Sequence, residues 1–351
     1  MGIKRNMAAP TPSGDARSAV DRNREAAVGA SSGGWLRELG RSGLTTTANS
    51  LGLAALGRPG YLNLGHGEDF EDRSVQALAG RTHAVLDAAF GAGVRHFDAA
   101  RSYGRAEEFL GSWLRSRSVQ PAAVTISSKW GYTYTAGWRV DADPPEVKDL
   151  SVGTFRRQLA ETRKLLGPYL ILYQIHSATL SGGVLDDSEV RGELKALRSD
   201  GVAVGLSVSG TEQAATIERA VDLGVFDTVQ ATWNLLEQSA GEALRSAHEG
   251  GLGVIVKEAL ANGRLSPRGA IEPLARAAGR LGLSEDALAI AAALARPWVD
   301  TVLSGASTVS QLESNLAAFN VRWDAALEKE LACLAEGPES YWHTRSALPW
   351  T

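Results

Sequence analysis

The sequence predicts an α/β fold, a single-domain (β/α)8 TIM barrel with a disordered N-terminal tail. Short apolar runs alternate with longer segments of helical periodicity from about residue 40 onward. The runs are rich in leucine and β-branched residues on both faces of the pleat, which is typical of parallel strands covered on both sides. Strict alternation of this kind within 351 residues favours one closed barrel.

The start of the chain predicts a tail. Residues 1–33 contain small residues, proline and scattered charge, with almost no large apolar side chain. Such a segment cannot bury enough surface to offset the entropy lost on ordering. No apolar stretch follows Lys4 and Arg5, so a signal peptide is not predicted. We therefore expect a flexible tail over residues 1–40 and the barrel domain over residues 41–351.

Seven apolar runs predict strands, and an eighth strand is expected between residues 43 and 77. The runs lie at residues 93–97, 123–126, 170–175, 202–206, 228–231, 254–256 and 301–303. Helical stripes lie between them, and Thr308-Val309-Ser310-Gln311 has the capping-box pattern of a helix start. A doubly wound open sheet is the alternative architecture. Such a sheet usually carries a glycine-rich phosphate loop, and the sequence contains neither G-x-G-x-x-G nor G-x-x-x-x-G-K-[ST].

Composition and charge argue against several classes of function. The chain has 36 Lys+Arg and 40 Asp+Glu, a net charge of −4, so no nucleic-acid partner is expected. No apolar run reaches the roughly 18 residues of a membrane span, so no membrane partner is expected. The single cysteine, Cys333, excludes a disulfide framework and a multi-cysteine zinc site and indicates a cytoplasmic protein. The net charge permits either a monomer or an assembly.

Four reactive side chains follow three consecutive predicted strands, where barrel active sites lie. Asp98 and Tyr103 follow the first of these strands, Lys129 the second and His176 the third. Tyrosine is a weak acid at neutral pH, and an adjacent lysine ammonium would lower the pKa of the phenol. A buried carboxylate would hold the lysine, and a neutral histidine could orient a carbonyl oxygen. Each residue alone is more often structural, but together they predict proton donation to oxygen during hydride addition.

These residues lie in motifs that resemble the aldo-keto reductases. Residues 93–108, with Asp98 and Tyr103 five apart, look like the first signature of that family. Ser127-Ser128-Lys129 and Leu172-Tyr173-Gln174-Ile175-His176 are similar to its lysine and histidine segments. Residues 305–315 resemble its C-terminal cofactor segment, and the resemblance covers roughly residues 43–345.

The resemblance implies a barrel that binds an extended nicotinamide dinucleotide without a Rossmann fold. It implies that Tyr103 is the general acid, that Asp98 and Lys129 tune it, and that His176 orients the carbonyl. Ser207 and Gln230 match residues near the nicotinamide amide. The full set of predicted cofactor-binding residues is Ser207, Gln230, Lys257, Arg264, Gly305, Ser307, Thr308, Gln311 and Asn315.

Several positions depart from the pattern of the family. Val208 stands where an asparagine is common, and Lys257 replaces an aromatic residue that stacks on nicotinamide. Lys257 could instead contact the pyrophosphate, or form an ion pair with Glu258 at the rim. Gly305 and Gln311 stand where many members carry a lysine and an arginine for the 2′-phosphate, and Arg264 or Arg268 could compensate. The two missing cations weaken the case for NADP(H) over NAD(H), but the resemblance still favours NADP(H) as the cofactor.

The substrate is predicted to be a small carbonyl compound. Aromatic residues near the barrel mouth suit an apolar substrate, and His66 could add a polar group there. These aromatic candidates are Trp130, Tyr132, Tyr134, Trp138, Trp233, Tyr341, Trp342 and Trp350, together with His343.

The predicted function is NAD(P)H-dependent reduction of an aldehyde or ketone to an alcohol. One alternative is a cofactor-sensing regulatory subunit with little turnover. Another is a metal-dependent lyase or hydrolase, which would need clustered ligands at strand ends. No metal is expected, because Lys129 would compete with a divalent cation at that place.

Overall fold

The computed structural model describes residues 35–351, in which eight parallel strands close into a barrel. The strands are β1 (Leu36–Glu38), β2 (Thr45–Thr47), β3 (Asn49–Gly52), β4 (His96–Asp98), β5 (Thr125–Trp130), β6 (Tyr132–Tyr134), β7 (Glu146–Lys148), β8 (Leu170–Ala178), β9 (Ala203–Val208), β10 (Thr228–Thr232), β11 (Gly253–Lys257) and β12 (Thr301–Ser304). The α-helices are α1 (Val75–Gly91), α2 (Ala106–Ser116), α3 (Val152–Leu166), α4 (Ser188–Ser199), α5 (Gln213–Leu223), α6 (Gly241–Glu249), α7 (Glu272–Leu281), α8 (Glu285–Leu294), α9 (Val309–Leu316), α10 (Ala325–Leu331) and α11 (Pro338–Ser346).

The barrel runs in the order β3, β4, β5, β8, β9, β10, β11 and β12, and β12 closes it by pairing with β3. The eighth strand predicted between residues 43 and 77 is β3, in which Leu51 lies opposite Phe97 of β4. All barrel pairs are parallel, so their carboxyl ends open at one end of the barrel. The predicted (β/α)8 architecture is confirmed.

An antiparallel hairpin of β1 and β2 closes the opposite end of the barrel. Its Leu39 and Leu44 are buried against Leu172, Ile255 and Leu303 of the barrel floor. This corrects the boundary placed after residue 40, because residues 36–39 belong to the folded unit. Strand β1 contains one apolar residue, Leu36, followed by the charged Arg37 and Glu38, so no apolar run marks it in the sequence. Residues 1–34 of the predicted tail lie outside the described residues.

Two further segments surround the open end of the barrel. The antiparallel β6–β7 hairpin projects from the end of β5. The C-terminal segment after α11 returns to the early part of the chain, where Trp350 forms a bridge with Leu62. Within residues 35–351 no helix has both the length and the apolar character to cross a bilayer.

Side-chain caps are present at the starts of two helices, α8 and the predicted helix α9. The hydroxyl of Ser284 accepts from Ala287 N at the start of α8. Thr308 Oγ1 accepts from Gln311 N at 3.2 Å at the start of α9. The second half of the predicted capping box differs, because Gln311 Oε1 accepts from Ser307 N at 2.9 Å. The Gln311 side chain is therefore fixed over the loop that precedes α9.

Candidate active site

The structure brings the four predicted catalytic residues together at the carboxyl ends of β4, β5 and β8. Asp98 ends β4 and Tyr103 follows in the loop, while Lys129 and His176 lie near the ends of β5 and β8. Asp98, Tyr103 and His176 line a cavity of about 780 Å³, and Lys129 lies directly behind Asp98. The position agrees with the end at which barrel enzymes carry their chemistry.

Asp98 and Lys129 form a buried ion pair, with side chains only 2% and 1% exposed. Lys129 Nζ donates to Asp98 Oδ2 and, at 3.0 Å, to Ala99 O. Asp98 Oδ1 accepts from Ser127 Oγ at 2.6 Å and from Gln174 Nε2 at 3.3 Å. A buried pair is stable only when its remaining hydrogen-bonding capacity is satisfied, and these contacts satisfy that of Asp98.

A chain of hydrogen bonds supports Asp98 from inside the barrel. His96 Nε2 lies 2.9 Å from Ser127 Oγ, and His96 Nδ1 lies 2.9 Å from Thr46 Oγ1. Because the Ser127 hydroxyl donates to Asp98, its oxygen accepts from Nε2–H, and Nδ1 accepts from the Thr46 hydroxyl. Burial lowers the pKa of His96 to about 4, so the ring is neutral at neutral pH. In this series of hydrogen bonds every donor therefore points toward the Asp98 carboxylate.

Sequence reasoning missed His96 and Ser127, although a signal was present. Each lies two residues before a predicted catalytic residue on the same strand, namely Asp98 or Lys129. Side chains at positions i and i+2 of a strand share a face, so both residues point into the barrel below the site.

Tyr103 lies above the ion pair and beside His176. Its ring centroid is 4.9 Å from Lys129 Nζ and 5.5 Å from the His176 ring, at an interplanar angle of 85°. Burial, and secondly the charge of Asp98, raise the pKa of Tyr103 well above its ordinary value, and Arg58 offsets this only in part. The sequence predicts that Lys129 lowers this pKa, whereas the net change in the structure is upward. Tyr103 is consequently protonated at neutral pH.

His176 is held as a neutral ring at the cavity wall. Its Nδ1 lies 3.4 Å from Ser102 Oγ, and its ring packs edge-on against Tyr103 and Tyr132. Burial, followed by the charges of Lys129 and Lys257, lowers the pKa of His176 well below its ordinary value. A neutral imidazole in this place can hydrogen-bond a carbonyl oxygen without competing for the proton of Tyr103.

Gln230 and Lys257 line the cavity, whereas Ser207, which is also predicted near the nicotinamide, lies outside its lining. Gln230 has its Nε2 at 3.5 Å from Asp98 Oδ1. Ser207 is fully buried, and its hydroxyl accepts from Ser177 N at 2.8 Å. Lys257 Nζ donates to Thr232 Oγ1 at 2.8 Å and to Ser209 Oγ at 3.3 Å, while Glu258 pairs with Arg345 instead. Lys257 therefore lines the cavity as a cation without a carboxylate partner within 4 Å among the described residues.

The predicted adenosine segment forms the far end of the same cavity. Gly305, Gln311 and Asn315 line it, and Thr308 caps α9. Ser307 is buried behind this wall, with Oγ at 2.9 Å from Asp69 Oδ2.

The two arginines offered as compensating cations differ in their placement. Arg264 lies outside the cavity lining and is paired with Glu336, because its side chain turns toward the C-terminal segment. The structure therefore does not bring Arg264 into the cavity with Gln230 and Lys257. Arg268 does line the cavity, where it is paired with Asp69 at 2.6 Å.

The sequence profile of the Aldo/keto reductase family matches residues 60–332 of this chain. The chain belongs to the aldo/keto reductase family. L-galactose dehydrogenase of Arabidopsis thaliana is 25% identical over 84% of this chain and 91% of that protein. NADH-specific methylglyoxal reductase of Escherichia coli K12 is 24% identical over 68% of this chain and 84% of that protein. The fold is similar to the solved holo form of aldo-keto reductase AKR11C1 from Bacillus halodurans, with TM-score 0.67 and 21% identity over 86% of this chain and 96% of that chain.

Only some of the predicted aromatic residues face the cavity of this family member. Of the predicted aromatic residues, Tyr132, Trp342 and Trp350 line the cavity. Trp130 and Trp233 are instead buried against Phe155 and Trp298. The remaining candidates lie outside the cavity lining, and these are Tyr134, Trp138, Tyr341 and His343.

Charged side chains complete the wall around Tyr103 in this reductase. Arg58 Nη1 pairs with Glu146 Oε2 at 2.8 Å, and the Arg58 guanidinium lies 5.4 Å from the Tyr103 ring centroid. Arg345 pairs with Glu258 across the cavity mouth. Sequence reasoning missed Arg58, Glu146 and Arg345, because they come from a loop, the short strand β7 and the C-terminal helix, which carry no periodic pattern near the motifs.

His66 does not supply the polar group that the sequence analysis suggests at the barrel mouth. Its side chain is completely buried next to Tyr61 and Phe70 and lies outside the cavity lining. Neither ring nitrogen has a hydrogen-bond partner. Burial lowers the pKa of His66 to about 4.

The donor set of the site does not resemble a metal centre. Among residues 35–351, no three His, Cys, Asp or Glu side chains converge in a way that could hold an ion. The oxygen atoms of Asp98 are already engaged by Lys129, Ser127 and Gln174. Among the described residues, the site therefore contains no set of ligands for the metal-dependent alternative.

Proposed function

We propose that the protein is a nicotinamide dinucleotide-dependent oxidoreductase that interconverts a small polar carbonyl compound and its alcohol. The observation that carries the proposal is a single cavity that joins a protonated tyrosine, backed by a buried Asp–Lys pair, to the start of α9. The dinucleotide, when bound, supplies or accepts the hydride.

The residues present fit such a cofactor. Gln230 offers an amide for the nicotinamide carboxamide beside Asp98. Lys257 offers a cation that no carboxylate has taken, which suits the pyrophosphate. The backbone N–H groups at the start of α9 suit an anionic or polar group, and Gly305 has open space around its Cα. Gln311 and Asn315 would contact the adenosine part.

The catalytic step assigned to the chain itself is proton transfer. In reduction, the Tyr103 hydroxyl donates its proton to the carbonyl oxygen as the hydride reaches the carbon. The ammonium of Lys129 stabilises the phenolate that remains, and Asp98 holds the ammonium in place. His176 donates a hydrogen bond to the same oxygen and fixes its direction. In oxidation the phenolate takes the proton back.

The wall of the site favours a polar substrate. Two ion pairs, Arg58–Glu146 and Arg345–Glu258, face the cavity, and Lys148 Nζ at its rim donates only to Ser177 O. An apolar substrate would displace water from these charged groups without forming hydrogen bonds in its place, and this desolvation costs free energy. A substrate with hydroxyl or anionic groups would bond to them, so the proposal changes the apolar substrate predicted from the aromatic residues.

The test is a steady-state assay with NADH and NADPH in separate series. Methylglyoxal, pyridoxal and, in the oxidative direction, L-galactose form the polar panel, and hexanal and benzaldehyde form the apolar one. We expect turnover on at least one polar compound at kcat/KM at least about tenfold above the apolar ones. Tyr103→Phe is the control that separates this site from contaminating activity. Equal or better turnover of the apolar aldehydes would contradict the substrate class, and no turnover with any compound would contradict the activity.

Turnover is favoured over a purely regulatory role. The complete proton-donor set is assembled, and both relatives named above are oxidoreductases. The cytoplasmic location indicated by the cysteine content stays a prediction.

A further inference from the structure

Lys148 places a cation on the cavity wall near His176. It is the last residue of β7, and it is exposed and lines the cavity. Lys148 Nζ lies 5.7 Å from the centroid of the Tyr132 ring, and the centroid of the His176 ring lies 5.0 Å from the same point. The ammonium and the imidazole that is proposed to orient the carbonyl therefore share one neighbour, the Tyr132 ring.

The ammonium of Lys148 has hydrogen-bonding capacity that the protein leaves unused. Its one acceptor among residues 35–351 is Ser177 O, at 2.8 Å. An ammonium carries three donors, so two N–H groups remain for water or a ligand. No carboxylate lies within 4 Å of Lys148 Nζ in this part of the chain. Glu146, two residues earlier in β7, is paired with Arg58 at 2.8 Å.

The backbone at Ser177 has an unusual conformation next to this cation. The pairing of β8 with β9 shifts register between Ile175 and Ala178, and Ser177 has φ 54°, in the left-handed region. Bulges of this kind redirect side chains beside active sites. The Ser177 hydroxyl lies 3.3 Å from Ser209 Oγ, and both serines line the cavity. An ammonium and two hydroxyl groups at one part of the wall suit the oxygen atoms of an anion.

Four cations act on the His176 ring. After burial, their charges lower the pKa of His176, in decreasing order Lys129, Lys257, Arg58 and Lys148. Lys129 and Arg58 belong to the ion pairs described above. Lys257 donates to two hydroxyl groups and is the cation assigned to the cofactor under the proposed function. Lys148 is the member of this set that is left for the substrate.

We propose that Lys148 is a specificity-determining residue that selects carbonyl substrates carrying an anionic group, a carboxylate or a phosphate. A short substrate whose carbonyl oxygen lies at Tyr103 and His176 would direct its other end toward Lys148. The ammonium binds the anion through its free N–H groups, and the Ser177 hydroxyl donates to a second oxygen. The inference rests on the proposed function, because it needs the carbonyl at Tyr103. It narrows the polar substrate class to anionic compounds.

The experiment is a steady-state assay of two matched pairs of aldehydes with the dinucleotide that binds more tightly. The carboxylate pair is 4-oxobutanoate and its neutral methyl ester, and the phosphate pair is glyceraldehyde 3-phosphate and glyceraldehyde. For the wild type we expect kcat/KM of at least one anionic member to be at least about tenfold above that of its neutral partner, as for one hydrogen bond to a charged group. The pair with the larger ratio identifies the anion. This ratio should shrink as NaCl is raised from about 0.02 to about 0.5 M, because salt screens an exposed ammonium.

Three variants test the assignment to Lys148. Lys148→Met should bring the ratio of kcat/KM within the responsive pair close to one, mainly through a higher KM for the anionic member, because the contact exists before and during the reaction. Lys148→Arg keeps the charge and should retain most of the ratio. Lys195→Met is the matched control, since it removes the same charge from an exposed lysine of α4. It should leave the ratio unchanged.

The outcomes distinguish this inference from the proposed function. A wild type that turns over the neutral members equally well, or the polar panel but neither anion, would overturn the role of Lys148 and leave the oxidoreductase activity in place. A ratio unchanged in Lys148→Met would overturn it as well. Equal losses for both members of a pair would also do so, because they would limit Lys148 to supporting the bulge at Ser177. No turnover of any compound by the folded wild type would contradict the proposed function itself.

Discussion

The two ends of the cavity are built in different ways. At the catalytic end, Asp98 and Lys129 come from neighbouring barrel strands, are 31 residues apart and are nearly inaccessible to water. At the adenosine end, Asp69 meets Ser307 and Arg268, which are 238 and 199 residues away, and Arg268 is 35% exposed. Adjacent strands fix the positions of the proposed reacting groups, whereas loops brought together by barrel closure form the other end. The two ends should therefore respond differently to substitution.

The largest expected effect belongs to the catalytic end. Tyr103→Phe removes the proton donor and leaves the packing of the ring almost unchanged. We expect kcat to fall about 10³-fold, within the range that general acids supply. The affinity for NADH should change less than about twofold, since the hydroxyl is not needed for binding. Activity close to the wild type would show that another group donates the proton.

Lys129→Met tests how strongly the catalytic end is stabilised by its ion pair. The change leaves the buried Asp98 without its cation, so the free energy of unfolding should fall by about 3–5 kcal/mol and activity should be lost. Arg268→Met is the matched change at the adenosine end. Because this pair is partly solvated, we expect a loss of about 1 kcal/mol or less. Urea unfolding of both variants measures the contrast, and similar losses would refute it.

Ser127→Ala removes one hydrogen bond to the Asp98 carboxylate and leaves His96 Nε2–H without a partner. A bond to a charged group contributes about 1.5–3 kcal/mol, and we expect stability to fall by that amount. The pH profile of kcat should also shift, because the charge of Asp98 raises the pKa of Tyr103 and the carboxylate is less firmly positioned without Ser127 Oγ. Ser307→Ala makes the equivalent change at the other end and should leave the pH profile of kcat in place. A profile unmoved by Ser127→Ala would limit Ser127 to a structural role.

The same division between strands and loops decides which parts of the site the sequence predicts. The order of strands and the residues at their ends were predictable, because a parallel barrel brings consecutive strand ends to one place. His96 and Ser127 could have been identified from the two-residue repeat of side chains along a strand. Asp69 was not, because nothing local shows that residue 69 meets residue 307. The same holds for Arg58, whose pairing with Glu146 depends on where the β6–β7 hairpin lies.

A further expected effect, on stability at acid pH, lies outside both ends of the cavity. The pKa of His66 is about 4 in the folded protein and about 6.5 when unfolded, so between these values the unfolded chain binds more protons. Stability should therefore fall as pH decreases from 6.5 toward 4, by at most about 1.4 kcal/mol per pH unit for this group. His66→Phe should reduce that slope in urea unfolding measured at pH 6.5 and 5. An unchanged slope would mean that His66 gains a proton or a partner in the folded state.

The most direct test of the central claim combines binding and turnover in one sample. The wild type is first titrated with NADH and followed by fluorescence, and the saturated complex is then mixed with the best compound of the polar panel. The account predicts saturable binding followed by loss of nicotinamide absorbance equal to the amount of bound NADH, with Tyr103→Phe binding equally but losing absorbance about 10³-fold more slowly. Absence of saturable binding with both NADH and NADPH would contradict the account, as would equal rates for the two proteins.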